Sequence, residues 1–255
     1  MPNRSAPQGH AGRAAILGDL FANRISSRDA VERLASLTLQ DNPMSGLGVT
    51  WASITWIAYE SSDHLEKLAD VLVDMMNLPA PKDEHGHQLT LDGKRIWSLQ
   101  LPAEGSERRK TIHNFVNINK LAALLMRSRS APFSEYDIFA IATMRDALET
   151  PVHQGETQEH DAFLPAAAAW ISLLGREIYS WDREISHGDE QGDPGMGGPL
   201  WNGQHGPCKE RWQLWKTRFE ELSQLEQLSD ELRVIAKGAE AQMNAVEEHS
   251  APWTA

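Results

Sequence analysis

The sequence predicts an all-α protein, built as a single compact multi-helix domain with one long Gly/Pro-rich loop over residues 187–207. Three observations carry this. Apolar residues recur at helical spacing along nearly the whole chain. Capping residues and prolines fall at the ends of those runs. No internal repeat and no break in composition divides the chain, so residues 14–250 read as one domain. Residues 1–13 are polar, contain Pro and Gly, and lack an apolar signal core, so they read as a disordered lead-in.

The elements follow in order. A helix starts at Ser27, with Val31, Leu34 and Leu37 on one face. The stretch Val49–Tyr59 is apolar all round, as expected of a segment central to the core or lining a pocket. Between Asp63 and Leu78, the set Leu65, Leu68, Ala69, Leu72, Val73 and Met76 follows the i, i+3, i+4, i+7 rule. Asp63 is the expected N-cap there and Pro79 the stop. Residues 79–101 read as a polar loop, with room for a short hairpin at 88–96. Helices are expected again over 107–127, 134–150 and 161–185, with Ser134 and Asp137 as a capping box. The Gly/Pro loop follows, then a terminal pair over 209–222 and 229–248.

Composition bounds the function. The formal net charge is -12, from 24 Lys and Arg against 36 Asp and Glu. That balance argues against a nucleic-acid backbone or an anionic membrane as partner. No apolar run approaches the roughly 20 residues a membrane helix needs. The single cysteine, Cys208, excludes an internal disulfide, which points to a reducing, cytoplasmic compartment.

Several stretches, in order, carry a resemblance. They are Trp97-Ser-Leu-Gln-Leu-Pro102, Asn117-Ile-Asn119 with the Leu-Ala-Ala-Leu-Leu after it, and Ala168-Ala-Trp170-Ile171 leading to Gly175. Then come Gly197-Gly-Pro-Leu-Trp201-Asn-Gly203 and Arg211-Trp212-Gln-Leu-Trp215-Lys216-Thr-Arg-Phe219. Together they resemble a fungal family known as a domain of unknown function, DUF3632. The resemblance spans most of the chain, and the Gly-Pro-Leu-Trp to Arg-Trp-x-x-Trp-Lys block is its most specific part. It implies a helical fold, a filamentous-fungal origin and, for some relatives, neighbouring secondary-metabolite genes. It implies no established activity and no catalytic residues.

Motifs of known chemistry are missing from the sequence. Gly195-Met-Gly197-Gly198 lacks the strand and spacing of a phosphate loop. There is no His-Glu-x-x-His, no Gly-x-Ser-x-Gly elbow and no redox-cofactor signature, so neither a metal nor a cofactor is expected. His85-Gly-His87, beside Asp83 and Glu84, supplies fewer local ligands than a structural zinc site needs. Cys208 opens a helix, a position that lowers a thiol's pKa, but no His or Asp at a diagnostic spacing supports it as a nucleophile.

Polar residues inside apolar stripes are the informative ones. On a wheel of 100° per residue, Glu177 falls among Phe163, Trp170, Leu173, Leu174 and Trp181. Asn119 falls at the centre of the stripe made by Ile112, Phe115, Val116, Ala122, Ala123 and Met126. Asp146 lies beside Phe139 and Thr143, and Arg211 borders Trp212, Trp215 and Phe219. Arg145 and Glu149 face away from their helix's stripe and read as a surface i, i+4 pair. His113 lies on a polar face.

This set has two readings. In the structural one, Glu177 pairs with a cation such as Arg211, and Asn119 clamps helix backbones. In the functional one, Glu177 is a general acid or base, and Asn119 or Arg211 holds a substrate oxygen. Trp170, Trp181, Trp212, Trp215 and Trp201, with Asp146, then line a pocket for an apolar small molecule. Two functions match these readings. One is a cofactor-independent enzyme of fungal secondary metabolism, performing an isomerisation, cyclisation or pericyclic step on a polyketide or terpenoid precursor. The other is a non-catalytic helical interaction protein, with Met196, Leu200 and Trp201 of the loop as its contact site. The oligomeric state is not encoded in any feature of the sequence.

Overall fold

The structure is a computed structural model, and it describes residues 9–40, 43–78, 105–152, 159–185 and 195–250. Every regular element among them is helical, as the spacing of apolar residues predicts. None of these helices is long and apolar enough to cross a membrane. The chain divides into two compact units, Met1–Phe133 and Ser134–Ala255.

The first unit holds α1 (His10–Phe21), α2 (Ser27–Gln40), α3 (Pro43–Glu60), α4 (Leu65–Met76) and α5 (Ser106–Arg127). Helix α1 packs on α2 and α3, and α5 packs on α3 and α4. Leu17, Leu34, Ile54, Leu68 and Leu125 are sealed between them. The helix starts within the expected lead-in, at His10, because Leu17 and Leu20 give α1 an apolar face to bury. Its Arg13 is buried too, where Nε donates to Thr50 Oγ1 at 2.7 Å and that hydroxyl meets Thr38 Oγ1 at 2.8 Å.

A Ser-x-x-Asp capping box does form, but at the start of α2. Asp29 Oδ2 accepts from the Ser26 amide and hydroxyl, while Asp29 N donates to Ser26 Oγ. The Ser26 hydroxyl bond holds the Asp29 carboxyl below the usual range. Ser134 and Asp137 have the same spacing, but neither is the N-cap there. A 3-10 turn (Ala131–Tyr136) precedes the helix there, and Tyr136 is the N-cap. Asp63 likewise is not the cap of α4; His64 is, with no side-chain bond.

The second unit holds α6 (Asp137–Leu148), α7 (His160–Ser180), α8 (Lys209–Ser223) and α9 (Asp230–Ser250). Helix α9 packs along α7 and α8, and α6 packs on α7 and α8. Trp170, Trp212, Trp215, Phe219, Met144 and Met243 fill the centre. Gly175 allows the close approach of α7 to α9: a Cβ there would lie 3.4 Å from Val246 Cγ2.

Helix α7 is interrupted at Leu174, whose φ of -137° and ψ of 18° leave the helical region. It ends at Ser180, five residues short of the predicted end, and Trp181 is already extended. Residues 181–185 instead lie beside the 195–207 segment. Arg183 N donates to Pro207 O at 3.2 Å and Ile185 N to His205 O at 3.1 Å. Arg183 also pairs with the buried Asp137 at the start of α6. The 88–96 hairpin, the His85/His87 loop, the Trp97–Pro102 stretch and residues 186–194 of the Gly/Pro loop lie outside the described residues.

Candidate functional site

The most unusual chemistry in the second unit is a buried ion pair. Arg211, in the first turn of α8, and Glu149, the C-cap of α6, both have fully buried side chains. Arg211 Nε donates to Glu149 Oε1 at 2.6 Å and Nη2 to Oε2 at 3.1 Å. This is the two-pronged geometry that suits a guanidinium to a carboxylate.

The rest of each group is also satisfied. Arg211 Nη1 donates to Gly195 O at 2.8 Å and Gly206 O at 3.0 Å, and Nη2 to Met196 O at 3.2 Å. A guanidinium has five N–H bonds, and all five are used. Glu149 Oε1 also accepts from Trp215 Nε1 at 2.6 Å, and Oε2 from the Gly198 amide at 2.7 Å. The guanidinium carbon lies 5.6 Å from the centre of the Trp215 ring and 5.8 Å from that of Trp201. Burying two charges is expensive unless every lone pair and proton finds a partner, and here they do.

The 195–207 segment is wrapped around this pair. Leu200 N donates to Glu149 O at 2.9 Å, and Gly206 N to Gly195 O at 2.8 Å. The glycines make the wrapping possible. A Cβ on Gly198 would lie 2.8 Å from both Cβ and O of Glu149, and one on Gly195 would collide with Ile185 O. Gly206, with φ of 97°, would meet Arg183 O as well as backbone strain. Gly197 and Gly203 leave space for the Trp201 indole, whose Nε1 donates to Gln204 O at 2.9 Å. The tip stays outside: Pro199, Leu200, Asn202, Gly203 and Gln204 are exposed, Leu200 by 39%.

Within the second unit, Glu177 is not the carboxylate that pairs with Arg211. Arg211 pairs with Glu149, and Glu177 sits half-buried on α7 beyond the kink. The wheel that put Glu177 in the stripe assumes an unbroken helix, and Leu174 shifts the phase of everything after it. Asn119 is fully buried in the first unit, where Nδ2 donates to Phe115 O at 2.9 Å. Trp170, Trp212 and Trp215 are core residues, and Trp181 and Trp201 are partly exposed. Asp146 is half-buried and paired with Arg145 at 2.9 Å.

Glu149 is the residue that sequence reasoning placed wrongly. The expected partner of Arg145 was Glu149; Asp146 takes that role instead. Glu149 is no longer helical, with φ of -103° and ψ of 7°, so its wheel position has no meaning. The usable signal was elsewhere: an arginine fixed between tryptophans at the start of a helix needs a counter-charge.

Cys208 is the N-cap of α8, and its Sγ accepts from Arg211 N at 3.4 Å. Burial pushes its thiol up, opposite to the lowering expected at a helix start. Among the described residues no group of three or more His, Cys, Asp or Glu side chains is placed to hold a metal.

The family model described as a protein of unknown function (DUF3632) matches residues 51–219, and the chain belongs to that family. The matched stretch takes in Glu149, the loop and Arg211. No curated protein and no solved structure matches the chain.

Proposed function

We propose that this chain is a non-catalytic helical binding module whose contact element is the Pro199–Leu200–Trp201 knuckle. The observation that carries this is the pinning of an exposed tip by a fully buried ion pair. A connector between two helices needs no single shape, and a flexible loop would join α7 to α8 equally well. Here a desolvated Glu149–Arg211 pair, its carbonyl contacts and several space-limited glycines hold one conformation. Buried charges add little net stability compared with apolar residues of similar volume, but they can fix one arrangement. What they fix here ends in an exposed proline and leucine on a partly exposed tryptophan, an apolar anchor suited to a partner's pocket. Preorganising that anchor lowers the ordering entropy of association.

The enzymatic alternative draws no comparable support. Arg211 has no N–H left to polarise a substrate carbonyl, and three of the tryptophans proposed as pocket walls are buried core.

The test uses a photo-crosslinking amino acid at position 200, expressed in cells of the source organism. A protein crosslinked there is then purified, and its affinity for the wild type is compared with that for Leu200→Asp. Specific capture with at least tenfold weaker binding of Leu200→Asp is expected. Equal binding of both would refute the reading. So would a metabolite profile in which deletion accumulates one precursor while a Leu200→Asp strain is normal.

A further inference from the structure

Helix α7 opens on His160. His160 is 4% exposed, and neither ring nitrogen has a hydrogen-bond partner. A buried imidazole in that state is tolerable when neutral and costly when charged. It also opens a 21-residue helix, whose N-terminal amides repel a cation. Burial, with the nearby Arg218 guanidinium, pushes its pKa below the ordinary 6.5, while Asp161 acts the other way.

The same Arg218 whose charge acts on this imidazole also holds the end of α6. From α8, its Nε donates to Leu148 O at 3.1 Å, holding the last residue of α6 in place. The next residue is Glu149, which anchors the loop through its side chain and its carbonyl. Among the described residues, the charged groups around His160 are Arg218 of α8, engaged also by Glu221, Asp161 of α7 itself, and the exposed Glu159 just before it. Just past the end of α6 stands Glu149, whose carboxylate is taken by Arg211, and α9 begins with the exposed Asp230 and Glu231.

We propose that the junction of α6, α7 and α8 is an acid-sensitive latch, in which charging His160 loosens the grip of Arg218 on the end of α6 and releases the 195–207 loop. The sign follows from linkage. The unfolded chain binds the proton more readily, so stability is complete above pH 6.5 and falls as the pH drops below it. For a ring kept neutral throughout, the folding equilibrium constant falls by about 30-fold between pH 7.5 and pH 5. The effect on partner binding rests on the reading in the preceding subsection; the latch itself does not.

The experiment compares wild type with His160→Phe at pH 7.5 and pH 5, without any partner. Urea denaturation reports stability, and hydrogen exchange, corrected for intrinsic rates, reports opening of the 195–207 peptide. The wild type is expected to lose stability by up to that factor, with faster exchange in the loop, while His160→Phe shows neither change. Equal losses in both proteins, or a stability change that leaves loop exchange unaltered, would overturn the proposal. Should His160→Phe not fold, the imidazole titration of the wild type by NMR decides: a ring titrating at or above 6.5 overturns it. Since no partner is present, failure here leaves the Leu200 test standing, and the reverse also holds.

Discussion

Replacing Glu149 with Gln keeps the side chain's shape and removes its charge. The Arg211 guanidinium then remains fully buried, with three backbone carbonyls but no counter-ion. The amide causes a second conflict. Both carboxylate oxygens of Glu149 accept two donors each. Whichever oxygen becomes NH2 therefore points its hydrogens at two other donors. Breaking a buried pair from one side costs about 3–5 kcal/mol, a large part of the 5–15 kcal/mol available to a typical domain. Urea denaturation followed by circular dichroism should show a midpoint lowered accordingly. The companion variant, Glu149→Gln with Arg211→Met, removes the stranded charge and should recover about 1–3 kcal/mol of that loss. A Glu149→Gln loss below about 1 kcal/mol, or a double variant as unstable as the sum of the singles, would refute the account of this pair as a mutually dependent unit.

Two further predictions concern backbone space and the cap. Gly198→Ala and Gly206→Ala should each destabilise by about 2 kcal/mol or more, through collision and, at 206, positive φ. Gly238→Ala, in open space on α9, should stabilise by about 0.5–1 kcal/mol; calorimetry of the three variants orders them, and a harmless Gly198→Ala would contradict the packing described. Cys208→Ser should keep the cap of α8, whereas Cys208→Ala should lose about 1 kcal/mol. The native thiol should react with a disulfide reagent only slowly at neutral pH, because burial keeps it protonated; fast labelling of folded protein would contradict this.

The fold class was readable because helical periodicity survives small errors in helix ends. The stripe Leu65, Leu68, Leu72 of α4 is visible in sequence and buried in the structure. The site was readable only in part. Arg211 among its tryptophans stood out, as did the glycine-rich run before it. Its partner did not, since Glu149 lies 62 residues away and just past the last helical turn of α6. Glu177 was misplaced for the same reason, by extending a regular angle through a break. The Ser-x-x-Asp pattern at 26–29 and 134–137 makes a similar point. The same letters bracket a helix start in one place and run through a 3-10 turn into the helix in the other, because the preceding backbone sets where the helix begins.

The distance in sequence between Glu149 and Arg211 also orders events during synthesis. As the chain leaves the ribosome, residues 195–207 emerge before Arg211, so the guanidinium that binds the carbonyls of Gly195, Met196 and Gly206 arrives last. Glycines that fit so closely in the finished protein leave the nascent segment with unusually wide backbone freedom. The knuckle therefore takes shape only once α8 has emerged and docked against the end of α6, a non-local step with a loop-closure barrier. A transcript or protease product ending before residue 211 would retain the exposed sequence Pro199–Leu200–Trp201 and lack its shape. The family match, which runs on past that point to residue 219, encloses both the displayed surface and the residue that gives it form.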